Sequence, residues 1–182
     1  REFLGVFASY STEGQQSYSV SWRRWLKHEE VPSGGVLQEE RSFVRVAGGY
    51  RNTLTRRFFG IGPATREREE SSYTDETFWF DAGAASSLPA PFDDFVASIS
   101  LRGETHWLSG GKASNTPNTE DAFPGLFSDA DQTTLGWLNA GFAWDTRDSV
   151  RNPYSGSAIG ASVQAALLQA DRTVGAIYTI YA

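Results

Sequence analysis

The chain contains no cysteine, and this absence removes several classes of site at once. Disulfide frameworks, thiol nucleophiles and cysteine-based zinc or iron–sulfur centres cannot form. Methionine is also absent, even at position 1, where the chain starts with Arg1. We therefore expect these 182 residues to belong to a longer translation product from which an upstream segment was removed.

Positive charge and long apolar runs are also scarce. The 16 Lys and Arg against 22 Asp and Glu give a net charge of −6, so we expect no nucleic-acid partner, which would require a basic face. No apolar run of about 18 residues occurs, which excludes a helical membrane span. The mean hydropathy of −0.39 resembles that of a soluble protein. A membrane-spanning strand, however, needs only about 9–11 residues with apolar side chains at alternate positions.

Alternation of apolar and polar residues predicts about eight β-strands and almost no helix. The segments rich in β-branched and aromatic residues are 3–10, 18–25, 41–57, 74–85, 95–107, 134–145, 158–168 and 173–181. The 18 glycines are scattered within these segments, where a helix would lose about 1 kcal/mol at each one. We predict one all-β, antiparallel domain over residues 1–182.

The two faces of the strands 134–145 and 158–168 differ in kind. One face carries bulky apolar residues, and the other carries mainly Gly, Ala, Ser, Asn and Gln. The bulky residues include Leu138, Phe142, Trp144, Ile159, Val163 and Leu167. A small soluble barrel fills its interior with large side chains and exposes polar ones. Here one face is large and apolar and the other is small or polar, so the small face would have to line the interior, as in a membrane barrel. We predict that these six residues face lipid and that the fold is a transmembrane β-barrel.

Join lengths and aromatic positions favour the same fold. The joins after the first, third and fifth strands include the two longest, and outer-membrane barrels place long loops outside the cell. Aromatic residues cluster near the predicted strand ends, where their rings would lie at the headgroup level. The pattern alone leaves open a soluble β-sandwich in which these rings form the core.

Two motifs carry a resemblance to a known family. The first spans residues 56–65 with the sequence RRFFGIGPAT and contains Arg57, Phe58, Phe59, Gly60 and Gly62. The second is GFAWDTRD at 141–148, followed by an Asn-Pro pair and a glycine, and contains Asp145, Arg147, Asp148, Asn152, Pro153 and Gly156. Together and in this order they resemble the bacterial surface-antigen superfamily, the outer-membrane barrels of the Bam and Tam insertases and their relatives.

The resemblance implies the N-terminal half of a larger barrel, usually of sixteen strands, in the bacterial outer membrane. It implies a role in inserting or translocating polypeptides or in anchoring an attached domain. The implied partners are outer-membrane lipid and client polypeptides or other envelope proteins. The implied mechanism is bilayer thinning and opening at the seam, with residues 3–10 as the first gate strand. The relatives' periplasmic modules and their lumenal Arg-Gly-aromatic loop do not occur in these 182 residues.

The residues offer no catalytic, metal or cofactor site, and we predict none. Asp145 and Asp148 flank Arg147, which predicts a salt-bridged turn rather than a carboxylate pair for acid–base catalysis. His28 and His106 are far apart in the sequence and are not predicted to be metal ligands. The glycines before Lys112 do not have the spacing of a phosphate-binding loop. The acidic residues of one long join lack the spacing of a calcium motif: Glu120, Asp121, Asp129 and Asp131.

Two alternatives to the larger barrel remain at this point. One is a small closed barrel that acts as a passive pore or adhesin, and the other is a secreted soluble β-sandwich or ligand-binding barrel. Closure at eight strands would leave a narrow lumen, which Gly141, Ala143, Gly160 and Ser162 are too small to fill. We therefore predict that segments 3–10 and 173–181 do not pair with each other.

Overall fold

The computed structural model describes residues 2–30, 36–38, 40–63, 65–125, 132–150, 153–168 and 176–181. The strands are β1 (Glu2–Tyr10), β2 (Gln16–Trp25), β3 (His28–Glu30), β4 (Val36–Gln38), β5 (Phe43–Phe58), β6 (Ser71–Ser87), β7 (Phe95–Gly110), β8 (Gln132–Asp145), β9 (Ala158–Leu168) and β10 (Ala176–Tyr181). Helix in this part of the chain is limited to a 3-10 turn at Glu67–Glu69 and the four-residue α1 (Thr119–Ala122). The prediction of an all-β fold is confirmed.

Eight of the strands form one antiparallel sheet in the order β1-β2-β5-β6-β7-β8-β9-β10. Each of these strands pairs with the next one along the chain, and they match the eight predicted segments to within a few residues at their ends. The strands β3 and β4 form a separate hairpin inside the join between β2 and β5, which the sequence did not predict.

The eight-stranded sheet is not closed into a barrel. The strands β1 and β10 stand at its two edges, and no ladder joins them within the described residues. The prediction that the first and last segments do not pair is therefore confirmed for residues 3–10 and 176–181. Residues 173–175 lie outside the described residues.

The cross-strand register gathers the bulky apolar side chains on one face of the sheet, the apolar face. Its members include Leu4, Val6, Val20, Val46, Phe80, Leu101, Leu138, Phe142, Trp144, Ile159, Val163 and Ile180. The opposite, polar face includes Ser17, Ser19, Ser21, Arg45, Arg51, Asp81, Arg102, Glu104, Asn139, Ser162 and Gln164. Each strand thus separates two kinds of side chain because successive residues point to opposite faces.

Glycine environments show that the polar face is concave. A Cβ atom added to Gly49 on the polar face would lie 2.3 Å from the carbonyl oxygen of Tyr18, and one added to Gly83 would lie 2.9 Å from Cβ of Ser100. On the apolar face, the nearest atom to such a Cβ is 3.3 Å away at Gly48 and 3.9 Å away at Gly103. Side chains converge on the inside of a curved sheet and diverge on its outside. A groove of about 900 Å³ follows the polar face.

Candidate functional site

Burial is inverted relative to a soluble domain. Among the described residues, the buried hydrophobic side chains are Leu54 and Ala85 only, while the buried polar residues are Ser42, Ser71, Ser72, Thr74, Asp75, Thr77, Ser87, Thr119 and Asp145. A water-soluble sheet buries its apolar face against a second layer. Among the described residues the apolar face is left exposed, as Val6, Ile99 and Phe142 show with 75%, 55% and 50% of their surface accessible.

The six residues predicted to face lipid lie together on the apolar face. Phe142, Ile159 and Leu167 are each at least half exposed, at 50%, 51% and 55%. Trp144 lies opposite Ile159 in the register of β8 and β9, and Leu138 lies opposite Ala165. Leu138 and Val163 are half-buried. The six residues therefore share one face of the sheet, and that this face meets lipid stays a prediction.

One end of the apolar face carries a continuous row of aromatic rings, the first aromatic row, formed by Tyr18, Tyr50, Phe78 and Trp107. The ring centroids are 6.4 Å apart between Tyr18 and Tyr50, 4.9 Å between Tyr50 and Phe78, and 5.6 Å between Phe78 and Trp107. The four residues come from four adjacent strands of the sheet, β2, β5, β6 and β7. The row lies on the side of the join between β7 and β8.

A second aromatic row lies at the opposite end of the same face and consists of Phe95, Phe142 and Trp144. The rings of Phe95 and Phe142 stack with centroids 5.5 Å apart, and Trp144 is the cross-strand partner of Phe95. Phe95 and Trp107 are twelve residues apart on β7. At about 3.3 Å per residue that is about 40 Å along the strand, or about 30 Å along the axis of a barrel whose strands tilt by about 40°.

On strands β5 to β8 the apolar face is free of charge between the two rows, whereas on β1 and β2 the same face carries the ion pair of Glu2 and Arg24, 3.7 Å apart. On β7 it presents Ala97, Ile99, Leu101, Gly103 and Thr105, and none of the apolar-face positions on β5, β6 or β8 between the rows is ionisable. On these four strands the face is thus charge-free over about 40 Å along the strand, with aromatic residues at both ends. At a strand tilt of about 40° this length corresponds to a height of about 30 Å, which is also the thickness of a bilayer's hydrocarbon core.

The GFAWDTRD motif at 141–148 and the residues after it form the hairpin between β8 and β9. Asp145 accepts hydrogen bonds from Nε and Nη2 of Arg147 at 2.8 and 2.9 Å and from the Arg147 amide at 3.1 Å. These bonds raise the pKa of Arg147 above its ordinary value, since they favour the charged guanidinium. Arg41 from the join between β2 and β5 donates to the Asp145 carbonyl oxygen at 2.6 Å. The Arg41 hydrogen bond therefore ties the join between β2 and β5 to the hairpin between β8 and β9.

The rest of this hairpin is held by hydrogen bonds from backbone amides to the side chain of Asp148. One carboxylate oxygen of Asp148 accepts hydrogen bonds from the amides of Ser149, Tyr154 and Ser155 at 2.9, 3.0 and 3.3 Å. Gly156 has a φ of 92°, and an added Cβ would lie 2.4 Å from the carbonyl oxygen of Thr146. Pro153 precedes a bend, and Asn152 lies outside the described residues. The motif organises a turn.

The RRFFGIGPAT motif begins at the end of β5 and continues into the turn after it. Arg57 makes an ion pair with Glu70 across the base of this connection. The ring of Phe58 meets Phe123 of the join between β7 and β8 edge to face, with centroids 5.1 Å apart. Gly60 has a φ of 95°, and a Cβ there would lie 3.4 Å from the Phe123 ring. Phe59 is half-buried, and Gly62 has a φ of 98° with open space around it.

The long join between β7 and β8 packs back on the start of β6, which sequence reasoning missed. The buried hydroxyls of Ser71 and Thr119 lie 3.0 Å apart, and the Ser72 amide donates to the Pro117 carbonyl oxygen at 2.8 Å. The amide of Lys112 donates to the carbonyl oxygen of Leu54 at 2.9 Å. Residues 111–125 thus cover this end of the sheet, while Asp129 and Asp131 of the same join lie outside the described residues.

A chain of charged groups crosses the polar face. Arg45 pairs with Asp81 at 3.0 Å, and Arg102 donates to Glu104 at 2.9 Å. His106, which the sequence left as an isolated histidine, lies 2.9 Å from Asp75 and 3.4 Å from Glu104. In the described part of the chain, no group of three or more acidic, histidine or cysteine side chains is placed to hold a metal ion.

None of the helices in the described residues is long and apolar enough to span a membrane. Comparison of the chain with protein-family models, with curated proteins and with solved structures found no match.

Proposed function

We propose that the chain is part of an integral outer-membrane β-barrel of the surface-antigen type, in the bacterial outer membrane. The observation that carries the proposal is the part of the apolar face on β5 to β8, which is free of charge between two aromatic rows and would be about 30 Å tall in a tilted barrel, with the polar groups gathered on the concave side. Exposing such a face to water is unfavourable. Contiguous apolar surface of this extent on a protein marks an interaction site. A lipid bilayer is the partner that matches its height.

The open edges of the sheet favour a portion of a larger barrel over a small closed one. Unpaired backbone groups in hydrocarbon cost several kcal/mol each, so β1 and β10 need partner strands in a membrane. Small polar-face residues such as Gly141 and Ser162 suit a wide lumen better than a narrow packed one. We therefore infer that further strands complete the barrel between β10 and β1.

The role that goes with this architecture is polypeptide insertion or translocation, or the anchoring of an attached domain. It is supported by the two motifs, each of which shapes a connection of the sheet, and by β1 as an edge strand in the position of a gate. Periplasmic modules before Arg1 and an Arg-Gly-aromatic loop after Ala182 in the full-length sequence would support this role.

Tryptophan quenching by brominated lipids tests the membrane assignment. Trp144 and Trp137 lie on the same strand but on opposite faces, with Trp144 on the apolar face. We expect a full-length variant that retains only Trp144 to be quenched strongly in brominated phosphatidylcholine vesicles, and one that retains only Trp137 to be quenched weakly. Both variants should remain with the vesicles after a urea wash. Release by urea, or equal quenching of the two residues, would reject the proposal.

A further inference from the structure

Arg51 on the polar face differs from the other arginines of the described strands. Arg24, Arg45, Arg56, Arg57 and Arg102 each form an ion pair, and Arg23 has partners as well, including the rings of Trp25 and Phe43. Arg51 has no hydrogen bond or ion pair within the described residues, and its Nε is buried without a partner. The polar face thus holds a permanent cation whose donors are unused.

Three carboxylates of the strands on the polar face are already engaged. Asp81 pairs with Arg45 at 3.0 Å, and Glu104 binds Arg102 and lies 3.4 Å from His106. Asp75 accepts from Thr77 at 2.9 Å and pairs with Arg56 at 3.6 Å. The positive charge of Arg51 is therefore not balanced by any of these groups.

Two serines supply unused hydroxyl groups beside Arg51. Ser17 is the cross-strand partner of Arg51, and Ser19 is the next residue of β2 on the same face. Neither hydroxyl has a partner among the described residues, whereas Thr77 on the other side of Arg51 is bonded to Asp75 and lies 3.2 Å from His106. Cross-strand partners have Cβ atoms about 4.5–5.5 Å apart, so one bound group can contact both Ser17 and Arg51.

We propose that Arg51, Ser17 and Ser19 form an oxyanion subsite that binds a carboxylate or phosphate group of a molecule lying in the groove. A guanidinium presents paired N–H donors that match two oxygens of either group, and a serine hydroxyl can donate to a further lone pair. All three residues line the groove of about 900 Å³ on the polar face, so a ligand can reach them. The subsite goes beyond the proposed membrane role, because it depends only on the polar face.

The side-chain Nε–Hε resonances of arginine, recorded by NMR on the full-length protein in detergent micelles, test this subsite. The Arg51 resonance is assigned by its loss in Arg51→Lys. We expect it to shift saturably when inorganic phosphate or acetate is added, while the resonances of the ion-paired Arg45 and Arg102 stay in place. The probe that binds more tightly identifies a phosphate-bearing or a carboxylate-bearing ligand.

Variants locate the subsite and separate binding from charge screening. Ser17→Ala should weaken binding of the tighter probe about threefold, and Arg51→Gln should abolish it. Ser98→Ala, a polar-face serine outside the groove, should leave it unchanged. Absence of a saturable shift with both probes, or an equal shift with chloride at the same ionic strength, would overturn the proposal. Because the measurement is made in micelles, failure here is distinguishable from failure of the lipid-quenching test.

Discussion

Replacing Val163 with arginine should lower the free energy of unfolding in a lipid bilayer by about 2–4 kcal/mol. Val163 lies at the middle of β9 on the apolar face, between Ala140 of β8 and Tyr178 of β10. An arginine at that depth would have to be desolvated or would pull water and headgroups into the membrane, and both effects are unfavourable. Urea unfolding of the full-length protein in thin-bilayer vesicles, followed by tryptophan fluorescence, measures the change.

The matched control for Val163→Arg is the adjacent residue on the opposite face. Gln164 lies on the polar face between Asn139 and Ile177, so Gln164→Arg should change the free energy of unfolding by less than about 1 kcal/mol. The reverse order of the two effects would mean that the inner and outer faces are assigned the wrong way round. Two equal small effects would mean that the apolar face does not meet hydrocarbon.

Gly156→Ala should destabilise the protein by about 3–4 kcal/mol, because a backbone strain and a clash add together. The φ of 92° is in the region that disfavours any residue with a Cβ. The new methyl group would also lie 2.4 Å from the Thr146 carbonyl oxygen and 2.7 Å from Cα of Arg147, which are backbone atoms that cannot rotate away. Urea unfolding under the same conditions gives the loss.

Two other glycines separate the strain from the clash. Gly62 has a φ of 98° but nothing within 4 Å of an added Cβ, so Gly62→Ala should cost only about 1–2 kcal/mol. A Cβ added to Gly103 would lie 3.9 Å from its nearest neighbour, the carbonyl oxygen of Leu135, and the φ of Gly103 is not positive. Gly103→Ala should therefore be neutral or slightly stabilising. If the loss at Gly156 were no larger than that at Gly62, the close approach of the hairpin backbone would be refuted.

The strands could be predicted from the sequence because each one separates two kinds of side chain. In β8, for example, Leu138, Phe142 and Trp144 alternate with Asn139 and Gly141, and a pattern of period two over more than four residues has no competing helical interpretation. The same alternation identified the apolar face. The alternation could not identify which face is concave. That depends on how closely neighbouring strands approach, as Gly49 of β5 approaches Tyr18 of β2.

Contacts between distant segments could not be predicted from the sequence. The hairpin of β3 and β4 has strands of only three residues, too short for an alternating pattern to register. The packing of Phe123 against Phe58 joins residues 65 positions apart, and neither residue type signals the other. The unpaired state of Arg51 likewise emerges only from the register, which places its neighbours' carboxylates with other cations.

The measurement that tests the central claim most directly is a nitroxide scan along β9 of the full-length protein in vesicles. Single spin labels at residues 159–167 report relaxation by oxygen, which concentrates in lipid, and by a water-soluble nickel complex. We predict high oxygen accessibility at the odd-numbered positions, including Ile159, Val163 and Leu167, and high nickel accessibility at the even-numbered ones, including Ser162 and Gln164. Equal accessibility of the two sets, or oxygen maxima at Ser162 and Gln164, would contradict a lipid-facing apolar surface.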